Sequence, residues 1–544
     1  MPNTFFGLTI GSSGLNAANI ALNTTSHNIA NIETEGYSRQ KIDATAADAL
    51  RMYSHYGMQG SGVAVHSVKQ IRDSYYDHKY WNNNKQTGEH NIKHHYTKQI
   101  EELYYNEMTN SGFTKYYGNF CNSLDSLSAT PSQIELRNQT IEGGQTLADY
   151  FNNIAENLMS YQDETNSQIK MVLDRINTIA ENIASLNGQI STLEMNGGFA
   201  NDLRDKRNTL VDELSGLAGI SVKEVESPTG STYYDIKIAN QTLVYGTKYH
   251  TLHVESKPSS EKRHDTDMAG LYEIKWSHGQ VFDTYNGTLS GELMGYVQIR
   301  DGDNLVAPIW PTSGNGQAVN YKGVPYYMEQ TNQFVAEYAK QFNTIHMSGQ
   351  DLDGNSTAEV PFFTIKNMTV DDIKQAILDA KEATNADGTK VPINNITDIK
   401  SEHIISYISE NITAENVCVN PDLIQDNRKM GTAGTIKDGV ETPDVATQLA
   451  NLRKQKTFRG GMPEEWVQSL LSVASIDAES ARDMYTNHGN IGEAIINQRL
   501  SVMGVDKEEE AVALVKYQHM FELSSKVISV MNEIYDRLIN QTGV

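Results

Sequence analysis

Gln168-Ile169-Lys170-Met171-Val172-Leu173-Asp174-Arg175-Ile176-Asn177-Thr178-Ile179-Ala180-Glu181-Asn182-Ile183-Ala184-Ser185-Leu186-Asn187-Gly188-Gln189-Ile190-Ser191-Thr192-Leu193 is the stretch that decides how this chain is built. Within it, Ile169, Val172, Ile176, Ile179, Ile183, Leu186, Ile190 and Leu193 alternate spacings of three and four without a miss. That rhythm keeps one apolar side on a helix. At about 1.5 Å per residue, the side is roughly 36 Å long. Gly197-Gly198 ends it. The stripe reads as a buried face in a helical bundle. The alternative is an intermolecular coiled coil.

Working outward, the ends of the chain differ from its middle. Only Pro2 and Pro131 precede Pro228, and no proline follows Pro463. Proline-free stretches suit long helices. Near the N-terminus, Leu8, Leu15, Leu22 and Ile29 recur every seven residues, with Ala18, Thr25 and Ile32 three residues after the last three. Gly36 is the expected stop. At the other end Met520, Leu523, Val527, Val530, Ile534 and Leu538 again alternate three and four, and Glu508, Glu509 and Glu510 complement the dipole at the helix start. Between Pro228 and Pro463 the chain is mixed. Ile220 begins a β-like region in which Ile236 and Ile238, then Tyr272, Ile274 and Trp276, alternate with polar neighbours. Asn286-Gly287 signals a turn. Helix returns over about 327–346, with Phe334, Tyr338, Phe342 and Ile345 on one side. Residues 348–440 are polar and turn-rich, and read as a surface insertion or small extra domain.

The expected fold class is therefore α+β multidomain. Long helices from both termini form a coiled-coil or helical-bundle stem, with β-rich domains inserted in the middle. The predicted partition is a terminal coiled-coil domain (1–36 plus 507–544), a helical-bundle stem (37–218 plus 287–347 plus 441–506), a β-rich domain (219–286) and a variable mixed surface domain (348–440).

The net charge of −24 over 544 residues argues against nucleic acid and against an anionic membrane surface as partners. Cys121 and Cys418 lie far apart and form no CxxC motif, so a disulfide framework is excluded. Met1–Gly7 lacks a basic segment leading into an apolar one, which predicts no Sec-type leader, and no stretch approaches the length of a membrane span. No HExxH, P-loop or GxSxG pattern occurs. Asp351-Leu352-Asp353-Gly354-Asn355 starts like a calcium loop. Its glycine comes fourth where sixth is required, and Phe362 stands at the twelfth position. His90 and His94 share a helix face beside His95, but no cysteine accompanies them, and a solvated face is the favoured reading over a metal site. Sequons such as Asn286-Gly287-Thr288 carry no weight without a secretory route. The chain is read as no enzyme and as needing no cofactor or metal.

Ser26-His27-Asn28-Ile29-Ala30-Asn31, then Thr34-Glu35-Gly36-Tyr37-Ser38-Arg39-Gln40, resembles the N-terminal signature of the bacterial flagellar rod, hook and hook-associated proteins. Glu33 and Glu35 stand where that family usually has Asn and Pro. Three further stretches resemble the hook-associated protein 1 family. They are Asn201-Asp202-Leu203-Arg204-Asp205-Lys206-Arg207 with Leu214-Ser215; Gly287-Thr288-Leu289-Ser290-Gly291-Glu292-Leu293 with Arg300-Asp301; and Asn343-Thr344-Ile345-His346 with Gly349-Gln350-Asp351-Leu352-Asp353-Gly354. Gly504–Glu510 and Tyr517-Gln518 look like the family's start of the final helix, while Met520–Ser525 replaces its small-residue run.

The resemblance implies a self-assembling structural subunit of the flagellum that connects the hook to the filament. It implies export through the flagellar channel without a cleaved signal peptide, and an extracellular place at the junction. Implied partners are copies of itself, the hook protein, the next hook-associated junction protein, and an export chaperone on the C-terminal helix. The packing residues it points to are Leu8, Leu15, Leu22 and Ile29 at one end and Leu523, Val527, Val530, Ile534 and Leu538 at the other. A hook protein or other axial subunit is the alternative, with an enzyme-bearing surface insertion and an adhesin behind it. Each end is a single amphipathic stripe. Isolated helices are marginal in water, so both ends are expected to be largely disordered in the free monomer and helical once assembled.

Overall fold

The computed structural model describes the chain except residues 1–5, 52–56, 110–111, 196, 228–230, 259, 261, 265, 285–288, 305–318, 435, 438–439, 457, 459–460 and 541–544. The turn and sequon at Asn286-Gly287, and with them Thr288, lie outside the described residues. α1 (Phe6–Ala30) leads through a turn at Gly36 into a two-stranded antiparallel ribbon of β1 (Gln40–Ala46) and β4 (Val63–Gln70). A smaller pair, β2 (Leu50–Arg51) and β3 (Met58–Gln59), lies between those strands in sequence. Then come α2 (Ser74–Thr109), α3 (Phe113–Ala129), α4 (Ile134–Glu194) and α5 (Asn201–Leu217).

A four-stranded antiparallel sheet follows: β5 (Ile220–Glu226), β6 (Thr232–Ile238), β7 (Gln241–Tyr245) and β8 (Lys248–Tyr249). Beside it is the hairpin of β9 (Leu252–Ser256) and β10 (Tyr272–Trp276). α6 (Glu292–Asp301) and α7 (Val324–His346) return to helix. The turn-rich part contains β11 (Phe363–Ile365), α8 (Val370–Ala380), β12 (Glu382–Thr384), β13 (Lys390–Pro392), α9 (Ser401–Asn411), β14 (Val417–Val419), α10 (Pro421–Gln425), β15 (Ile436–Lys437) and β16 (Val440–Glu441). α11 (Asp444–Asn451), α12 (Pro463–Met503) and α13 (Lys507–Asn540) close the chain.

α4 is the spine, roughly 90 Å long at about 1.5 Å per residue. Its two halves serve two cores. In the second half, Ile169, Val172, Ile176, Ile179, Ile183 and Ile190 are buried, and the core they build includes Val211, Leu214, Ile236, Leu243, Ile274 and Trp276. The expected buried face is therefore real and lies within one chain, against α5, α6 and the sheet. Leu186 is half-buried and Leu193, at the end, is 59 % exposed. The helix starts about thirty residues earlier than the stripe announces. Its first half buries a mixture, including Ile141, Ala148, Phe151, Ala155 and Leu158, with Gly143 and Gly144 inside it. A Cβ on Gly144 would stand 2.7 Å from the Phe362 ring. Glycine is thus what lets the 348–440 stretch press on the spine, at some cost in helix propensity.

Residues 348–440 are not a loose appendage. Phe362, Ile373, Ile377, Ile404, Ile408 and Leu423 join one core with Phe120, Phe151, Phe334 and Phe342. The third family stretch makes the attachment. The Asn343 carboxamide accepts from the Phe362 and Phe363 amides at 2.9 and 3.0 Å and donates to the Phe363 carbonyl at 2.8 Å. His346 is fully buried, bridging the Val360 carbonyl and the Gly431 amide at 2.9 Å each. Burial pulls its pKa down to about 4, so it is neutral and can accept from Gly431.

Candidate assembly site: the terminal helix pair and its joint to the body

α1 and α13 run antiparallel, with Gly7 opposite Met531, Gly11 opposite Ile528 and Gly14 opposite Ser524. A Cβ on Gly11 would stand 2.9 Å from Ile528 Cγ1, so the glycines set how closely the helices approach. The buried side of α1 is small: Gly11, Ala17, Ala18, Ala21, Thr25 and Asn28, the run from Ala18 to Asn28 again three and four apart. Facing it, α13 places Leu514, Tyr517, Phe521, Ser524, Ile528, Met531 and Tyr535, with Tyr535 buried and the others half-buried.

The residues singled out from sequence are not this seam. Leu8, Leu15, Leu22 and Ile29 each follow a small seam residue by one position and are half-buried. Leu523, Val527, Val530 and Ile534 each precede a seam residue, and with Leu538 they are 65, 46, 48, 43 and 47 % exposed. The two groups do not pack on one another along the seam. The true α13 seam, one residue away, was equally periodic, and the signal for choosing it was the row of glycines and alanines on α1.

Where α1 meets the body, the family residues converge. Asn28 is buried; its carboxamide accepts from the Gln40 amide at 2.9 Å and the Tyr37 hydroxyl at 2.8 Å. It donates to the Gln40 carbonyl at 2.9 Å and to Glu510 of α13 at 3.2 Å. Arg39 reaches the same Glu510 at 2.7 Å and Glu509 at 2.8 Å. Asp205 of α5 accepts from the Ser38 amide and hydroxyl at 3.0 and 2.7 Å. Asp202 takes Gln40 at 2.8 Å and His27 at 3.3 Å, and Asn201 donates to Gln40 and to the Val68 carbonyl. Asn31 stays local: it donates to the His27 carbonyl at 3.0 Å and accepts from the Thr34 hydroxyl at 3.2 Å at the end of α1. Gly36 has φ +77°, and a Cβ there would strike Thr209 Oγ1. Burial, then Asp202, Asp205 and Glu510, push the Tyr37 phenol well above its ordinary range, so it stays a donor.

The remaining members of the motif point elsewhere. Leu203 is half-buried. Arg207 is 1 % exposed, lies 3.6 Å from the Tyr234 ring centroid, and donates to Asn187 at 3.0 Å. It fastens α5 to the sheet. Sequence reasoning missed the charges beneath the joint. Arg72 holds Asp77 at 2.7 Å, and Arg499 of α12 bridges Asp77 at 2.8 Å and Asp212 at 2.7 Å. Trp81 donates to Asp212 at 2.6 Å. Burial raises the Asp212 carboxyl while Arg499 opposes it. Single charged residues far apart in the chain carry no periodic signal.

The other candidates resolve into structure. Asp351 accepts from the amides of Asp353 and Asn355 and from the Asn355 carboxamide, which closes the turn on itself. His90 and His94 stack on His488 and Tyr485 of α12, with centroids 5.4 and 5.8 Å apart. Among the described residues no group of three or more His, Cys, Asp or Glu could hold a metal ion. An open groove of about 380 Å³ borders the joint, lined by His27, His66, Phe199 and Asn201 among others. No helix is long and apolar enough to cross a membrane, among the described residues.

Comparison with known proteins matches three family models along this architecture. Residues 97–363 match the flagellar hook-associated protein FlgK helical domain, residues 8–37 the flagella basal body rod protein, and residues 496–541 the C-terminal region of flagellar basal body rod FlgEFG proteins. The last two meet at the joint. The flagellar hook-associated protein 1 of Bacillus subtilis is 25 % identical, over 100 % of this chain and 99 % of its own length. That of Escherichia coli is 26 % identical, over 97 and 98 %. The structure of the flagellar hook junction protein FlgK from Burkholderia pseudomallei shares the fold, with a TM-score of 0.53 at 14 % identity, over 78 % of this chain and 100 % of that one.

Proposed function

The chain belongs to the flagellar hook-associated protein 1 family, structural subunits of the bacterial flagellum at the hook–filament junction, and from that premise we propose how its ends assemble. The observation that carries the reading is the exposed aliphatic row on α13. Five large side chains on one helix face stand 43–65 % exposed. A row of that kind on a soluble chain marks a surface meant for a partner.

On α1 the leucines follow the seam residues by one position, and on α13 the aliphatics precede them. Successive residues turn by about 100°. Because the helices are antiparallel, the opposite offsets put the two stripes on opposite sides of the pair. A two-sided element meets its copies front to back, and such heterologous contacts generate rings or helical arrays rather than closed dimers. α1 suits this role, since no Asp, Glu, Lys or Arg occurs before Glu33 and its outer face opposes no approaching charge.

In this reading 1–36 with 507–544 is the assembling unit and the rest is the body it carries. Leu523, Val527, Val530, Ile534 and Leu538 of one copy receive Leu8, Leu15, Leu22 and Ile29 of the next. The hook protein and the next hook-associated junction protein occupy the ends of the array. An export chaperone covers α13 before the chain leaves the cell by the flagellar export channel. The signature at Asn28, Gly36, Tyr37, Asn201, Asp202 and Asp205 sets the angle between the helix pair and the body.

The test is Leu523→Asp, alone and with Val530→Asp. Both positions are exposed in the free chain, so the purified variants should keep the parent's circular dichroism and melting profile. In a strain lacking the gene they should not restore filaments, while hooks still form. Filaments of normal length from a folded variant would sink the proposal.

A further inference from the structure

α2 and α12 form an antiparallel pair whose middle is closed by stacked rings rather than by aliphatic side chains. His90 lies nearly parallel to His488, with 7° between planes, and His94 lies over Tyr485 at 15°. Asn83 sets the His488 ring, since its carboxamide oxygen is 3.2 Å from Nδ1 and its amide donates to the His488 carbonyl at 2.9 Å. The His94 Nδ1 atom is buried without a hydrogen-bond partner. This arrangement suits neutral imidazoles. A neutral ring stacks on its neighbour at little electrostatic cost, whereas a protonated one adds a charge beside Lys93 on His90 and beside Lys98 and Arg482 on His94.

We propose that this seam is a pH-sensitive clasp, closed while His90 and His94 are neutral and loosened as they protonate. The surrounding charges favour that sense. Acting on His90 are Lys93, His488 and Glu89, and Lys93 already pairs with Glu89 at 2.5 Å. Acting on His94 are Lys98, Arg482 and His95, all cationic or able to become so. On the opposite side of α2, Glu292 of α6 sits beside Gly88. Burial, then the neighbouring cations, lower both imidazoles from their ordinary value. The unfolded chain therefore binds protons more readily than the folded one. The stabilisation is whole above the unfolded value near 6.5 and is lost as pH falls through the lower folded values.

The test is amide hydrogen exchange on the full chain at about pH 7.5 and about pH 5.5, corrected for intrinsic rates. Protection in 79–98 and 482–495 should fall about tenfold at the lower pH, ahead of the body as a whole. His346 also titrates in acid, but it bonds Val360 and Gly431 and has no partner on α12 among the described residues, so segments around α7 report it separately. The double substitution His90→Gln, His94→Gln should keep the neutral protection and lose its dependence on pH. If that variant retains the tenfold drop, the clasp is elsewhere and the idea fails. Should the variant not fold, imidazole NMR titration of the unsubstituted chain decides. Midpoints below that of free histidine support the clasp, and midpoints at or above it overturn it.

Discussion

Two helices in this molecule carry the same written pattern and meet opposite fates. Ile169 to Ile190 on α4 and Leu523 to Leu538 on α13 both alternate three and four. On α4, Ile176, Ile179 and Ile183 are fully buried, while on α13 every member of the row is at least 43 % exposed. Periodicity specifies a face and says nothing about what covers it. The covering comes from elsewhere: α4 is flanked in sequence by the elements that fold over it, α5 and the sheet. α13 comes last, and among the described residues the helix it packs along is α1, a glycine- and alanine-faced helix whose narrow side uses up only the neighbouring row. A long helix with one narrow partner keeps a second face for a later encounter.

The comparison breaks first at the buried row. Ile179→Asp places a carboxylate where no water or cation reaches, and should cost on the order of 5 kcal/mol, enough to remove the cooperative melt of the second core. A variant that melts within a few degrees of the parent would mean that the α4 face is not the core it looks like. The joint lies between the extremes. Arg499→Ala leaves the buried Asp77 carboxylate with Arg72 alone and deprives Asp212 of its cation. The expected loss is about 3 kcal/mol, with exchange rising first in 72–81 and 205–214. Arg499→Lys should recover only part of it, because one ammonium cannot span both carboxylates as the guanidinium fork does. Full recovery by lysine would reduce the joint to a matter of net charge.

How much of this was legible follows from the kind of interaction. Helices at both ends, the α4 stripe and the strands at Ile236–Ile238 and Tyr272–Trp276 obey local rules, and sequence reports local rules well. The early start of α4 did not show, because Arg137, Gly143 and Gly144 interrupt any aliphatic row over 134–162; the two glycines make room for Phe120 and Phe362. The 348–440 stretch looked like a surface insertion because its turns are polar. Its isoleucines are spread over short elements, and only the fold gathers them into the first core. The joint was half legible: Asn28, Ser38, Gln40, Asp202 and Asp205 belong to recognisable stretches, whereas Arg72, Asp77 and Arg499 are isolated charges. On α13 two adjacent rows are equally periodic, and which of them packs on α1 was not legible, since the distinction lay in the small residues of α1.

That last ambiguity gives the smallest expected effect and the sharpest contrast. Val527 and Ile528 are neighbours on α13, but Ile528 faces Gly11 across the seam and Val527 lies largely outside it. In the free chain Ile528→Ala removes partly buried methyl groups from a tight contact and should cost about 1 kcal/mol, below the usual range for a fully buried isoleucine. Leu523→Ala and Val530→Ala remove side chains that water already surrounds, so their effect should stay within about 0.5 kcal/mol. In assembly the order inverts, because the exposed row is what a neighbouring copy would bury. The same truncations would then each remove about 2 kcal/mol of apolar burial per contact. Chemical denaturation of the monomer and sedimentation of the assembled form measure the two sides separately. Equal losses from Ile528→Ala and Leu523→Ala in the monomer would show that both rows are already covered, and the face reserved for a neighbour would not exist.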